Sequence, residues 1–255
     1  IGTGVNNNTF NTTTITNISG VNASASVYGI SLEGNTASNI FNDTTISGAT
    51  TTTGNAIGIY NNYASYCDFT NVTISDFSAK NSIGVQILAG SSNTIDNATI
   101  SGLTGTISAV GINIQEANPA FATDNIVLTN GNISGLTAPS TTGVSMVSTS
   151  TTGVTNSTIS GFTIDMGPNS ASTTTTGIYV NTGSDATVQN NTINNADTGI
   201  KLKDITVGAA IDLSGNTLGS GVTTFIDGTG TTVAVDANNV TFQGITSSAD
   251  LVARL

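Results

Sequence analysis

Asn97-Ala98-Thr99-Ile100-Ser101-Gly102-Leu103 decides how the rest of the chain is read. It returns as Asn71-Val72-Thr73-Ile74-Ser75-Asp76-Phe77 and as Asn156-Ser157-Thr158-Ile159-Ser160-Gly161-Phe162. Looser copies are Asn130-Gly131-Asn132-Ile133-Ser134-Gly135-Leu136, Asn190-Asn191-Thr192-Ile193 and Asn239-Val240-Thr241-Phe242. Degenerate copies centre on Ile15, Ile46 and Leu218. A block that recurs this often makes the chain a repeat array, and the array must be read before any single motif.

The central apolar residue of each copy serves as a marker. Markers fall at Ile15, Ile46, Ile74, Ile100, Ile133, Ile159, Ile193, Leu218 and Phe242, separated by 24 to 34 residues. A constant block with a variable interval implies a fixed strand and turns of changing length. Helical repeats would keep a stricter period and space their apolar residues by three and four. A second block follows most markers, as in Gly84-Val85-Gln86-Ile87, Gly111-Ile112-Asn113-Ile114 and Gly177-Ile178-Tyr179-Val180. It alternates apolar with polar, the period of a half-buried strand. A third, weaker block precedes the next marker, as in Asn39-Ile40-Phe41 and Asn125-Ile126-Val127-Leu128. Each repeat therefore holds about three short strands and three bends.

One such coil cannot bury its inner side alone, so coils stack at the strand spacing of about 4.8 Å. Within the marker block, alternation points Ile100 inward and Thr99 and Ser101 outward. Three ranks of like residues follow. Threonines stand one before the marker, serines mostly one after, and Asn71, Asn97, Asn130, Asn156, Asn190 and Asn239 three before. Stacked asparagines can hydrogen-bond from coil to coil.

These motifs resemble the right-handed parallel β-helix of the pectate-lyase-like superfamily over nearly the whole chain. The resemblance implies an all-β solenoid, one domain over 1–255, with about nine coils of three strands. That superfamily often stacks asparagines at a bend, a second account of the asparagine rank. It includes lyases, hydrolases, tailspikes, adhesins and passenger domains, so the likeness implies a fold and no activity.

Composition narrows the function. Fifteen acids against four bases give a net charge of −11, which repels nucleic acid and anionic membrane. No run of 18 apolar residues exists to span a bilayer as a helix. The chain opens on Ile1 with no basic segment followed by an apolar one. Either a signal peptide has been removed or the sequence starts inside a larger protein. Cys67 is the single cysteine; it reads as a free or half-buried thiol, with a bridge to another subunit as the alternative.

Polysaccharide cleavage needs two carboxylates at a defined separation, one of them protonated. The acids are scattered; Asp68, Asp212 and Asp236 each lie six before their markers. The Asn-Thr-Asp, Asp-Asp, Gly-His-Gly and Arg-Ile-Lys blocks of the superfamily's polygalacturonases are missing, there is no histidine, and the one arginine is Arg254. Cofactors are therefore expected to be none. A structural calcium at a bend near Asp124 or Asp165 is the alternative, without a calcium-loop repeat to support it. Tyr60, Tyr63 and Tyr66 lie close in sequence and read either as a cap over the core or as a surface contact for glycans. Eleven Asn-x-Ser/Thr sequons occur; Asn7, Asn11, Asn17, Asn22 and Asn42 lie outside the repeat's asparagine rank and are the candidates for N-glycosylation. Longer interruptions at Tyr60 to Asp68, Gln115 to Asp124, Ala138 to Thr142 and Thr163 to Thr176 are expected to bulge at bends. Ala249 to Leu255 reads as a short cap or a docking strand.

The expectation is an extracellular or cell-surface protein without catalysis, a subunit of a surface layer, sheath or filament, or an adhesin shaft. Its partner would be itself, by end-to-end or lateral stacking, with cell-surface glycans as a second ligand. The alternatives are a polysaccharide-active β-helix, hydrolase or lyase, and an ice-binding solenoid built on the threonine rank.

Overall fold

A computed structural model describes residues 5–20, 25–34, 36–116, 123–148, 154–167, 174–181, 186–205 and 210–245. Asn22, Arg254 and the segment from Ala249 to Leu255 lie outside them. The described residues form strands and turns with no helix, and every strand pairing is parallel. The chain winds as a parallel β-solenoid of about seven turns, slightly fewer than the nine expected. Nine rungs do stack on one face, but the first and last turns are only partly described.

Three faces surround the core. The first carries short strands from Thr9–Asn11 to Val235–Asp236. Its inward column runs Phe10, Phe41, Phe69, Ile95, Leu128, Ile159, Val188. The second carries the markers Ile15, Ile46, Ile74, Ile100, Ile133, Ile164, Ile193, Leu218 and Phe242 in direct register. The third carries Ile30, Ile59, Val85, Ile112, Val144, Ile178, Ile200 and Ile226. In Thr73–Leu88 and Thr99–Gln115 the strand continues unbroken from the second face into the third. The apolar residues of all faces join one buried cluster, from Val27 to Phe225.

The glycine of the Gly-Ile-x-Ile block is explained by the marker. A β-carbon on Gly84 would lie 2.5 Å from the Gly111 carbonyl oxygen and 2.9 Å from Cγ2 of Ile100. At Gly111 it would meet the Gly143 carbonyl at 2.5 Å and Ile133 at 2.9 Å. The marker isoleucines fill the space left by the missing side chains, so the two blocks are halves of one packing unit.

Corners are turned by single residues in the left-handed region. One corner stacks Asp43, Asn71, Asn97, Asn130 and Asn190, with φ between 52° and 56°. Asparagine and aspartate tolerate this conformation better than other side chains. Asn97 Nδ2 donates to Asn71 Oδ1 at 2.8 Å, and Asn71 Nδ2 to Asp43 Oδ1 at 2.9 Å. Of the expected asparagine ladder, the bond from Asn97 to Asn71 is the one between its members among the described residues; Asn130 donates to Asp96 instead.

Ile159 departs from the expectation. It is fully buried, but it belongs to the first face, between Leu128 and Val188. Ile164 takes the marker position between Ile133 and Ile193. Asn156 leaves the ladder with it and turns the preceding corner, in series with Ser92 and Asn125; Gly161 turns the ladder corner. Both strings obey the same local rule: a left-handed corner residue, then inward, outward, inward, outward. Local sequence cannot choose between them. A cysteine pair at Asn132 and Thr163 is expected to form a disulfide, because adjacent parallel strands place their α-carbons about 4.8 Å apart. A pair at Asn132 and Thr158 is expected not to. Mass spectrometry under mild oxidation reads both, and the reverse pattern would restore Ile159 as the marker.

Two expected bulges are strand in part, and in the first of them residues 63 to 67 turn corners. Asn55–Asn62 takes in Tyr60 and Ser140–Val147 takes in most of the 138–142 interval. The interior of the 115–124 and 163–176 intervals lies outside the described residues.

Candidate functional site

The carboxylates come first because acid chemistry would need them. Asp68, Asp212 and Asp236 do occupy one outward column of the first face, and Asp212 and Asp236 sit on neighbouring rungs. Asp212 accepts the Ser214 backbone N–H at 2.8 Å and a hydrogen bond from Gln189 Nε2. The Ser214 backbone and hydroxyl, then Gln189, hold its carboxyl below the usual range. The Thr129 hydroxyl at 2.7 Å, then the Asn130 amide at 3.0 Å, do the same for Asp96. The Thr229 hydroxyl, then the Lys201 ammonium, lower Asp227. These three groups are stabilised as anions. They accept hydrogen bonds well and are poor proton donors at neutral pH.

This arrangement fixes a pH dependence. Each folded-state pKa is depressed, so in acid the unfolded chain binds more protons than the folded one. The contribution to stability is present above the unfolded carboxylate value of about 3.9 and is lost as pH falls through the folded values. The melting temperature is expected to fall steadily below about pH 4, and less steeply in the Asp96→Asn/Asp212→Asn/Asp227→Asn variant. Thermal melts between pH 6 and 2 test this; parallel curves for the two proteins would remove these aspartates from the acid response.

Glu116 is buried and accepts the Ser148 hydroxyl at 2.6 Å. Asp165 Oδ1 accepts the Gly167 N–H at 3.0 Å and Asn195 Nδ2 at 2.8 Å, so its lone pairs serve a bend. Asp124 lies half-buried in Thr123–Asp124. Among the described residues no three His, Cys, Asp or Glu side chains gather where a metal could bind.

The three clustered tyrosines take different places around the coil. Tyr60 lies on the third face against Tyr28, ring centroids 5.0 Å apart. Burial, then Tyr28, Glu33 and Tyr63, raise its pKa. Tyr63 and Tyr66 turn two successive corners at φ 64° and 56°, and Tyr66 is 62% exposed. Cys67 points into the core with no exposure. Its Sγ–H donates to the Ser65 carbonyl at 3.5 Å, and burial pushes the thiol pKa up. A bridge from Cys67 to another subunit would require the turn to open. Of the sequon asparagines outside the rank, Asn7, Asn11 and Asn17 are exposed. Asn42 is half-buried and its Nδ2 donates to Asn11 Oδ1 at 2.9 Å.

The second face is the most regular surface. One before the marker stand Thr14, Thr45, Thr73, Thr99, Asn132, Thr163, Thr192, Thr217 and Thr241 in register. One after, Thr16, Ser47, Ser75, Ser101 and Ser134 give way to Asp165 and Asn194. Two flat threonine ranks would suit an ordered water lattice; the second rank here is mixed and is interrupted by the charge of Asp165.

What the sequence reading missed is inside. Asn39, Asn93, Asn191 and Asn216 are completely buried. Each follows a left-handed corner residue and bonds the backbone of neighbouring turns. Asn93 Oδ1 accepts the Cys67 N–H and its Nδ2 donates to the Ala64 carbonyl, both at 3.0 Å. The available signal was the pair of a corner former and a second asparagine, as in Asn190-Asn191 and Gly215-Asn216. No family model, curated protein or solved structure matches the chain.

Proposed function

We propose that the chain is a non-catalytic extracellular structural protein that assembles with copies of itself, as part of a surface layer, sheath, filament or adhesin shaft. The observation that carries this reading lies at the ends of the rod. Phe10, Ile15 and Ile18 at the first turn, and Val233, Val240, Phe242 and Ile245 at the last, are only partly buried against the core. Phe10, Ile15, Ile30 and Phe41 line a cavity of about 210 Å³ at the first turn. Among the described residues Thr14–Thr16 pairs on one side only, with Thr45–Ser47, and Thr241–Phe242 only with Thr217–Leu218. Half-covered core and open strand edges favour continuation of the stack by further turns, which a second copy of the chain can supply.

The depressed aspartates support a reading without acid catalysis. The sequons, the acidity and the scarcity of lysine support an extracellular setting. Coil length and the buried asparagines at bends support a right-handed solenoid of the pectate-lyase-like kind. Negative-stain imaging and sedimentation of the purified chain test the assembly. Filaments or sheets, or a mass rising with concentration, are expected; a monomer at every concentration would defeat it. Release of reducing sugar from acidic glycans would instead favour a polysaccharide-active enzyme.

A further inference from the structure

The described residues contain three cations, Lys80, Lys201 and Lys203. In a chain of net charge −11, two of these three open on one place. A groove of about 340 Å³ on the third face is lined by Thr142, Thr174, Thr176, Tyr179, Lys201 and Lys203, among others. That volume lies in the range of small-ligand sites, about 300–1,000 Å³. Register builds the groove from successive turns. Thr142 stands beside Thr176, Tyr179 beside Lys201, and Asn181 beside Lys203. Lys201 and Lys203 are two apart on Thr198–Lys203, so both side chains leave the same side of the strand, about 7 Å apart.

The two lysines are not equivalent. Lys201 Nζ lies 3.2 Å from Asp227 Oδ2, and Asp227 is also held by the Thr229 hydroxyl. This pair presents donor and acceptor together, which suits a ligand hydroxyl. Among the described residues Lys203 makes no ion pair, and its ammonium is left to meet an anion. Beside Lys201 the half-buried ring of Tyr179 offers a flat apolar surface, and the threonine hydroxyls can both donate and accept.

We propose that this groove binds an anionic saccharide. The acidic group rests on Lys203, a ring hydroxyl on the Lys201–Asp227 pair, and the sugar face on Tyr179. Asp227 and Asp204 bring negative charge to the same face, so the acid must rest on Lys203, the lysine without an ion pair among the described residues. The site does not depend on the assembly reading; a monomeric rod would carry it equally.

The test is calorimetric titration of the full chain with three probes: a tetrasaccharide alternating glucuronate and N-acetylglucosamine, a sulfated galactose tetrasaccharide, and neutral tetra-N-acetylchitotetraose. At least one anionic probe is expected to bind about tenfold more tightly than the neutral one, since charge-assisted bonds are worth roughly twice neutral ones. Which one binds distinguishes carboxylate from sulfate as the recognised group. Lys203→Gln is expected to remove the preference and Tyr179→Ala to weaken every sugar. Lys80→Gln, on a distant turn with the same charge change, is expected to alter nothing. Equal affinity for the neutral probe, no binding of any probe at about 10 mM, or an unchanged preference in Lys203→Gln with its melting temperature intact would each overturn the proposal.

Discussion

Replacing Asn191 with leucine is expected to destabilise the solenoid by about 3–4 kcal/mol, although the side chains are similar in size and the site is fully buried. Asn191 Oδ1 accepts the Phe162 N–H at 2.9 Å. Its Nδ2 donates to the Ile159 carbonyl at 3.1 Å and to Asn216 Oδ1 at 3.0 Å. Leucine leaves the buried Phe162 N–H unpaired, at about 1–3 kcal/mol, and takes a second donor from the Ile159 carbonyl and one from Asn216 Oδ1. Asn216 Nδ2 stays on the Val188 carbonyl at 2.6 Å. The neighbour provides the control. Asn190 is exposed at a left-handed corner where Gly161 and Gly215 serve in adjacent turns. Asn190→Gly is therefore expected to change stability by less than about 0.5 kcal/mol. Urea denaturation of both variants decides. A leucine variant as stable as the parent would show that the interior amides are dispensable.

Phe69→Ala is expected to cost about 3–5 kcal/mol, with the damage confined to a few turns. Phe69 has no exposure and ends a stack running up the first face. The Phe10 and Phe41 rings lie 4.7 Å apart, and Phe41 and Phe69 5.2 Å, at interplanar angles of 7° and 9°. Alanine removes the last ring and opens a cavity that paired strands on either side cannot close. In a stacked array each turn is held chiefly by its immediate neighbours. Hydrogen exchange should therefore accelerate at Phe41, Thr70 and Asp96, and stay unchanged near Leu218. Phe69→Leu, which keeps most of the volume, is expected to cost under about 1.5 kcal/mol. Uniform acceleration from end to end would show that the rod opens as a single unit.

The two variants probe opposite parts of the same design. Aliphatic and aromatic columns supply burial, and interior amides close the backbone where the strands bend. The difference matters for function. A rod whose corners are bonded from turn to turn resists local opening, which a filament or shaft requires, and its outward residues remain free to vary. The groove at Tyr179, Lys201 and Lys203 is built from such outward positions, on a strand whose inward residues Ile200 and Leu202 are fully buried.

The alternation in Thr99-Ile100-Ser101 was enough to establish strand, inward side and stacking, because side-chain direction along a strand has a strict period of two. It also placed Ile74 beside Ile100, Asp212 beside Asp236, and threonine on one face. What it could not settle was position around the circuit. Asn156 to Ser160 and Gly161 to Asp165 carry the same local pattern, and both corners are left-handed. Only packing against Leu128 and Val188 on one face, and Ile133 and Ile193 on the other, separates Ile159 from Ile164. Interior asparagines escaped for the same reason, since burial follows from which turns lie above and below. Lys201 and Tyr179 meet only because 22 residues of chain return to the same face one rung later. Local geometry is written residue by residue, but neighbours across turns are chosen by the shared core.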